Sequence, residues 1–196
     1  MAVAKKLADY LQTRTPQEET PWAVFDKNLV ERVLEDHHLP HRFAKFMPEN
    51  WSSLIDDTLD ELFGLHPPSW ILVRQTAETI LRLVTLGNVI IIGRGANVVT
   101  AKLGTVFHVR LVSPLERRTE RIRENDQLDP KAALEFIHRE DLGRERYLRK
   151  YYNKDVNDPL LYHFVVNTDW VPSSKAAQII GDIVMERRPQ RRLVPA

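Results

Sequence analysis

Four consecutive β-branched residues, Val89 to Ile92, are followed directly by the turn Gly93-Arg94-Gly95. A run of this kind is typical of a strand buried on both faces, as in a parallel sheet covered by helices. Glycine lets the backbone turn sharply and approach a ligand closely, while arginine carries a planar charge suited to phosphate. Ligands of open α/β sheets bind beyond the carboxyl ends of strands, so the sequence predicts an anion site at this turn.

Composition restricts the class of protein. The 196 residues fit one globular domain, and a formal net charge of +1 gives no general attraction to nucleic acid or to an anionic membrane. The absence of cysteine excludes disulfides, thiolate metal sites and a cysteine nucleophile. No apolar run approaches membrane-spanning length, and residues 1–14 lack the apolar core of a signal peptide. We therefore expect a cytoplasmic protein without a membrane partner.

Hydrophobic periodicity predicts alternating helices and strands. Strands are predicted at Trp22 to Phe25, Val89 to Ile92, Thr105 to Val112 and Tyr162 to Asn167. Helices are predicted over residues 2–11, 28–36, 50–63, 70–86, 131–150 and 173–185, with one more after Ser113-Pro114. This order predicts a three-layer α/β domain with a mostly parallel sheet over residues 1–186. A basic, disordered tail is predicted over residues 187–196.

Three helix starts carry recognisable signals. Asp129 before Pro130 predicts an N-cap followed by proline in the first turn. Ser113 predicts a similar cap, with Glu116 reaching back to complete a capping box. Ser69 predicts the cap of the helix over residues 70–86.

Two clusters of titratable residues have a functional and a structural interpretation. His37 and His41 have the i, i+4 spacing of metal ligands, but Pro40 breaks the helix that such a pair needs. This favours solvated loop histidines. The carboxylates within residues 50–63 could do acid and base work, but on an amphipathic helix they favour its solvated face. They are Asp56, Asp57, Asp60 and Glu61.

The basic segment from Arg139 to Lys150 also has two interpretations. One is a solvated helix with i, i+4 ion pairs, such as Glu140 with Arg144. The other is a mobile flap that closes over a polyphosphate and stabilises charge during transfer. Composition alone favours the solvated helix.

Short motifs after the strands and in the basic helix follow one another in a fixed order along residues 2–184. They are Phe25-Asp26-Lys27, Gly93-Arg94-Gly95-Ala96-Asn97, Val109-Arg110-Leu111, Ser113-Pro114-Leu115-Glu116-Arg117-Arg118, Asp141-Leu142-Gly143-Arg144 with Tyr147, Tyr151 and Tyr152, Asn157-Asp158-Pro159 with Tyr162, and Val166-Asn167-Thr168. In this order and spacing they resemble the cytidylate kinase-like family of P-loop phosphotransferases.

The resemblance implies a P-loop NTPase-like fold and transfer of the ATP γ-phosphoryl group to CMP or a related nucleoside monophosphate, with Mg²⁺ bridging donor oxygens. The acceptor would be held by residues after two strands: Asp26, Gly93, Arg94, Gly95 and Asn97. The catalytic residues would lie in a lid over the phosphates: Asp141, Arg144 and, with a looser match, Arg139. Arg118 would contact the donor nucleotide. Such transfer needs positioning and positive charge, which arginines supply.

The sequence departs from the family at its phosphate loop. The family's first strand and glycine-rich loop precede the helix that residues 1–11 resemble, and no Gly-x-x-x-x-Gly-Lys followed by Ser or Thr occurs here. Without that loop, backbone N–H groups and a lysine for the donor phosphates are missing, so ATP affinity and turnover should collapse. We expect a fold lacking its first strand, with strand edges and apolar helix faces left uncovered.

Three functions are compatible with these observations. The first is an incomplete nucleoside monophosphate kinase, since Met1 falls inside an uncapped helical pattern. The second is a non-catalytic protein of the same fold that binds a nucleotide or a partner through Arg94. The third, an RNA-binding protein using the basic helix, lacks the aromatic platforms that RNA recognition needs. The sequence favours the first, with a CMP-like partner, no protein metal site, and a homo-oligomer where uncovered edges pair.

Overall fold

The computed structural model describes residues 2–15, 20–26, 28–38 and 69–187. The predicted helix over residues 50–63 with its carboxylates, His41, and the tail from Arg188 lie outside the described residues. The helices are α1 (Ala2–Arg14), α2 (Asn28–Asp36), α3 (Ser69–Leu86), α4 (Ala96–Val99), α5 (Leu115–Asp126), α6 (Pro130–Tyr152) and α7 (Ser173–Arg187). The strands are β1 (Ala23–Phe25), β2 (Val89–Ile91), β3 (Val109–Val112) and β4 (Phe164–Asn167), and a 3₁₀ turn spans Pro159–Leu161.

The described strands form two parallel pairs. Strand β1 pairs with β2, with Val24 opposite Ile90, and β3 pairs with β4, with Leu111 opposite Val166. Parallel pairing of this kind needs helical crossovers, which the chain supplies between partners. The predicted mixture of helices and parallel strands is confirmed, but within the described residues the strands form two ladders and not one continuous sheet.

Helices pack on both faces of β2, as its apolar sequence predicts. Val89 and Ile91 contact a buried cluster from α2 and α3 that consists of Leu29, Ile80 and Leu83. Ile90, between them, packs against a second cluster from α1 and α7. This division follows from the alternation of side chains along a strand. The predicted layering of helix, strand and helix is therefore present around β2.

The second cluster joins the two strand pairs. Its buried residues come from α1, β4 and α7 and are Val3, Leu7, Leu11, Val166, Ala176, Ala177 and Ile180. Ile90 of β2 and Val109 of β3 both pack against it. Apolar burial contributes about 25 cal/mol per Å² and needs no particular direction. Side-chain packing therefore places both ladders in one core without a hydrogen bond between them.

Leu111 lies at an apolar edge of β3 that the described residues do not cover. It pairs with Val166, so both side chains point to the same face. Val166 is 4% exposed, whereas Leu111 is 45% exposed. Within the described residues, β4 covers one side of β3 and its other side is open.

Two predicted boundaries change, one because of a local turn and one at a helix end that contacts distant residues. Strand β3 begins at Val109 and not at Thr105, since Val106 N–H donates to the Leu103 carbonyl at 3.1 Å and turns the chain. Helix α7 continues through Glu186 to Arg187, so the tail does not include Arg187. Arg187 lies 5.6 Å from the centroid of the Phe107 ring and donates to the Gly104 carbonyl at 3.3 Å.

The helix starts give mixed results. Asp129 accepts from the backbone N–H groups of Lys131 and Ala132 at 2.9 and 3.0 Å, which confirms its cap. The Ser113 cap is wrong: α5 starts at Leu115, and extended Pro114 occupies the N-cap position without a side-chain hydrogen bond. Ser69 is itself the first residue of α3.

His37 was predicted to be a solvated loop residue, and this is wrong. Its Nε2 lies 3.2 Å from the Gln75 carbonyl oxygen and 3.4 Å from Thr79 Oγ1, so α3 supplies polar partners that no local pattern shows. The neighbouring His38 is exposed, as expected.

His108 is a buried polar side chain before β3, with 7% of its surface exposed. Its Nε2 lies 2.8 Å from Thr100 Oγ1, and its ring stacks on His163 with centroids 4.7 Å apart. Burial, followed by the charges of His163 and Arg187, lowers the pKa of His108 below its ordinary value. The folded state therefore favours the neutral imidazole.

We expect the free energy of unfolding to decrease on acidification because the unfolded chain protonates at residue 108 first. The pKa of His108 is lower in the folded state than in the unfolded chain, where it is about 6.5. The contribution of neutral His108 to the free energy of unfolding is therefore complete above about pH 6.5 and is lost as pH falls from there toward the folded-state pKa. Urea unfolding at about pH 7.5 and about pH 5.5 measures the decrease. The variant His108→Gln should show a smaller decrease, and an equal one would contradict the assignment.

The contact between α1 and α7 includes a helical glycine, Gly181. A Cβ at this position would lie 2.8 Å from Cε1 of Tyr10, nearer still to Cδ1 of that ring, and 3.5 Å from Cδ1 of Leu7. The Tyr10 hydroxyl donates to Asp182 at 2.5 Å, which restrains the ring. The two helices therefore need glycine here.

We expect Gly181→Ala to destabilise the protein by about 1–3 kcal/mol because overpacking exceeds the gain in helix propensity of about 1 kcal/mol. Gly104→Ala is the matched control, since a Cβ there would meet nothing within 4 Å. Its effect should stay within about 0.5 kcal/mol. Urea unfolding compares the two variants, and equal stabilities would show that α1 and α7 tolerate the methyl group.

Candidate functional site

The carboxyl ends of β1 and β2 bring two predicted acceptor-binding segments together. Phe25 is opposite Ile91, and the Ile92 N–H donates to the Phe25 carbonyl at 2.8 Å. Asp26 follows Phe25 directly and Gly93 follows Ile92, so both lie at the same edge. This is the edge at which parallel α/β proteins bind ligands.

The turn after β2 has an unusual backbone. Gly93, Arg94 and Gly95 have φ values of 76°, 59° and 66°, so all three are left-handed. Glycine adopts this conformation freely, whereas a residue with a Cβ pays roughly 1–2 kcal/mol. An arginine between two glycines is therefore strained where glycine would not be. Strain of this kind is a reason to look for a function of the side chain.

Gly95 lies beneath the tyrosines at the end of α6. A Cβ on Gly95 would come within 2.8 Å of Cε2 of Tyr152 and within 3.4 Å of Cε1 of Tyr147. Burial raises the pKa of the Tyr152 hydroxyl above its ordinary value, although a nearby Tyr147 partly opposes this. The arginine-bearing turn is thus packed directly against α6.

Asn97 follows the turn in α4 and carries a buried amide. Its Nδ2 atom is shielded from solvent and has no hydrogen-bond partner among the described residues. Buried side-chain donors are nearly always satisfied, so an amide without a partner beside this turn needs an explanation, and a ligand group is one. The predicted acceptor-binding residues Asp26, Gly93, Arg94, Gly95 and Asn97 therefore occupy one contiguous edge of the protein.

Helix α6 carries the predicted lid residues close to this edge. Arg144 lies three residues before Tyr147, which corresponds to about 4.5 Å along a helix and the same helix face. Tyr147 packs against Gly95, so α6 runs past the Gly93-Arg94-Gly95 turn, and Arg144 lies three residues earlier on that helix. The fold thus brings two motifs that are distant in sequence to neighbouring positions.

Arg118, Asp141 and Arg144 form an ion-pair cluster between α5 and α6. Both terminal nitrogens of Arg118 donate to Asp141, Nη1 to Oδ2 at 2.8 Å and Nη2 to Oδ1 at 2.6 Å. Nη2 of Arg144 donates to the same Oδ1. The sequence had suggested Glu140 as the partner of Arg144, and this is wrong because Asp141 faces the arginines instead.

The arginines keep Asp141 ionised. Burial raises the pKa of its carboxyl, but hydrogen bonds and charge from Arg118, together with Arg144, lower it by more. The net direction is downward, so Asp141 is a carboxylate at neutral pH with both oxygens engaged. A group in this state accepts a proton poorly, so the geometry suits charge balance better than general-base catalysis.

Arg139 does not belong to this cluster. Its Nε lies 3.9 Å from Glu140 and its guanidinium carbon lies 5.3 Å from the centroid of the Phe136 ring. Its side chain is 52% exposed. The predicted catalytic residues Asp141 and Arg144 are therefore in contact, whereas Arg139 lies apart from them.

Sequence reasoning missed two features of the site. It named Tyr147 and Tyr152 as parts of a motif but gave them no role, although aromatic residues at the end of a basic helix are a usable packing signal. It also placed Arg118 and Asp141 in separate roles. Since they lie on different helices, no local spacing could reveal their ion pair.

None of the described helices is long and apolar enough to cross a membrane. In the part of the chain that the structure describes, no group of three His, Asp or Glu side chains is placed to hold a metal ion.

The described residues define a parallel α/β protein with an arginine-bearing turn at a carboxyl edge of a strand pair, and with two further arginines that converge on Asp141 between α5 and α6. The sequence profile of the Cytidylate kinase-like family matches residues 2–170. The chain belongs to this family, in agreement with the resemblance of its motifs.

Curated relatives agree with this assignment. The cytidylate kinase of Sulfolobus acidocaldarius is 32% identical over 91 residues, which are 43% of this chain and 50% of that protein. The chain thus spans about half the length of this relative. The cytidylate kinase of Methanocaldococcus jannaschii is 26% identical over 143 residues, 71% of this chain and 80% of that protein.

A crystal structure of an uncharacterized protein from Eubacterium ventriosum has a similar fold. It aligns with a TM-score of 0.65 and 19% identity, covering 94% of this chain and 90% of that one. At this identity the likeness shows the fold alone.

We expect Gly95→Ala to destabilise the protein by about 2–4 kcal/mol because a left-handed alanine is strained and its methyl group collides with Tyr152. Gly87→Ala is the control, since Gly87 has a φ of 79° but a Cβ there would meet nothing within 4 Å. That variant should lose only about 1 kcal/mol. Urea unfolding of both separates strain from collision, and equal losses would exclude tight packing of α6 on the turn.

Proposed function

We propose that this protein binds a nucleoside monophosphate such as CMP at the turn of Arg94 and that its family reaction is ATP-dependent phosphoryl transfer to that acceptor. The observation that carries the proposal is the strained, left-handed Arg94 between Gly93 and Gly95 at a carboxyl edge. A guanidinium group there offers a planar, paired set of donors to a phosphate.

The surrounding groups support an acceptor site of mixed polarity. Asp26 adjoins the turn, and carboxylates commonly accept from the amino or hydroxyl groups of nucleosides. The unsatisfied amide of Asn97, in the helix directly after the turn, is a candidate donor. Together they offer a donor, an acceptor and a phosphate-binding cation within one edge.

Arg118 and Arg144 support the phosphate-transfer part of the proposal. Phosphoryl transfer depends on positioning and on positive charge near the transferring group, and the guanidinium groups of Arg118 and Arg144 converge on Asp141. These groups fit the phosphates of ATP. The described residues contain no three-carboxylate or histidine cluster that fits a protein-held Mg²⁺.

A second function is a non-catalytic protein of this family that binds a nucleotide or a partner through Arg94. It is supported by Asp141, whose two oxygens are both engaged by arginines and which therefore accepts a proton poorly. The two functions share the acceptor site and differ in ADP production.

Thermal unfolding with CMP tests the acceptor site. At a CMP concentration of about ten times Kd, binding should contribute about 1.4 kcal/mol and raise Tm by about 3–6 °C. Arg94→Gly should remove this shift while changing the free energy of unfolding by only about 1 kcal/mol, since glycine relieves the left-handed strain. Arg94→Lys keeps the positive charge but loses the paired, planar donors of the guanidinium group, so it should retain part of the CMP-induced rise in Tm.

Controls separate binding from general charge and from catalysis. Arg82→Met removes an exposed arginine of α3 and should leave the CMP shift unchanged. The absence of any CMP shift in the unaltered protein, with the fold intact, would overturn the acceptor proposal. ADP production from ATP and CMP, measured by a coupled assay, would decide for the kinase over the non-catalytic protein.

A further inference from the structure

The carboxylate of Asp141 lies between guanidinium groups from two different helices. Arg118 of α5 donates to both of its oxygens, at 2.8 and 2.6 Å, and Arg144 of α6 donates to one of them. When both terminal nitrogens of an arginine donate to the two oxygens of a carboxylate, those oxygens are arranged as two oxygens of a phosphate would be. Asp141 therefore fills the position that these arginines would offer to a phosphate.

The cluster carries an excess of positive charge. Two guanidinium groups face one carboxylate, and burial does not neutralise that carboxylate because the arginines lower its pKa. The pair can be reached from solvent, since the side chains of Arg118, Asp141 and Arg144 are 31%, 41% and 40% exposed. A more highly charged anion can thus approach the arginines and compete with the aspartate.

We propose that Asp141 is an internal counter-ion in a polyphosphate-binding site formed by Arg118 and Arg144, and that a polyphosphate chain binds by displacing its carboxylate. This inference rests on the proposed function, because it assigns a role within the same site. It assigns Asp141 to competition with the ligand, in place of catalysis. The aspartate keeps the two like charges together when no ligand is bound.

If Asp141 competes with the ligand, removal of its charge should strengthen binding. If Asp141 only supports the arginines, removal of its charge should weaken binding or leave it unchanged. Asp141→Asn keeps the shape and removes the charge, so inorganic tripolyphosphate no longer has to displace a carboxylate. The dissociation constant for tripolyphosphate should fall about fivefold or more, as expected for removing one unit of repulsion at about 4 Å in water. Arg118→Met and Arg144→Met should each weaken binding about tenfold.

Asp169→Asn is the matched control for net charge. Asp169 pairs with Arg117 of α5 at 3.2 Å and is 27% exposed, but it does not contact the cluster. At about 0.15 M salt its removal should change tripolyphosphate affinity less than twofold, because exposed charges are screened beyond about 8 Å. Isothermal titration calorimetry measures all variants, and urea unfolding confirms that each is folded. If Asp141→Asn unfolds, Asp141→Ser removes the same charge.

An unchanged or weaker tripolyphosphate affinity in folded Asp141→Asn would overturn the inference and make Asp141 a support for the arginines. ATP is titrated in parallel: an equal gain assigns the site to nucleotide phosphates, and a gain confined to tripolyphosphate assigns it to free polyphosphate. Arg94→Gly separates the two proposals, since it should abolish the CMP shift and leave tripolyphosphate binding intact. Failure at one site therefore does not imply failure at the other.

Discussion

Apolar packing of α1 and α7 against both strand pairs holds the described structure together. Strands β1 and β2 form one ladder and β3 and β4 another, and the cluster around Leu11, Val166 and Ile180 contacts residues of both. Since no ladder hydrogen bond links the pairs among the described residues, their relative position depends on side-chain volume. The close contact at Gly181 belongs to this cluster, so an added methyl group there affects both pairs.

The candidate site depends on a second packing contact, between the left-handed turn and α6. Gly95 allows the rings of Tyr147 and Tyr152 to lie against the backbone that presents Arg94. This contact fixes the end of α6, the helix that carries Asp141 and Arg144, beside the turn that carries Arg94. Such a contact matters for the proposed function because phosphoryl transfer depends chiefly on how two substrates are positioned.

Charge is arranged differently in the two halves of the site. Arg94 is held by a strained backbone between glycines, whereas Arg118 and Arg144 are held by the carboxylate of Asp141. Arg94 is presented by a strained, left-handed backbone, whereas the charge of Asp141 offsets one of the two positive charges of Arg118 and Arg144. In this member of the Cytidylate kinase-like family, these three arginines are the described groups best suited to phosphate.

The sequence by itself determined the features that depend on neighbouring residues. These are the apolar run of β2 with helices on both faces, the glycine-flanked Arg94 and the cap at Asp129, since each follows from local spacing and backbone preference. Only the tertiary structure decided the partners of His37, the contact of Tyr152 with Gly95 and the bond of Arg118 to Asp141. The physical reason is that these states depend on which helix faces meet, and local sequence patterns do not specify that.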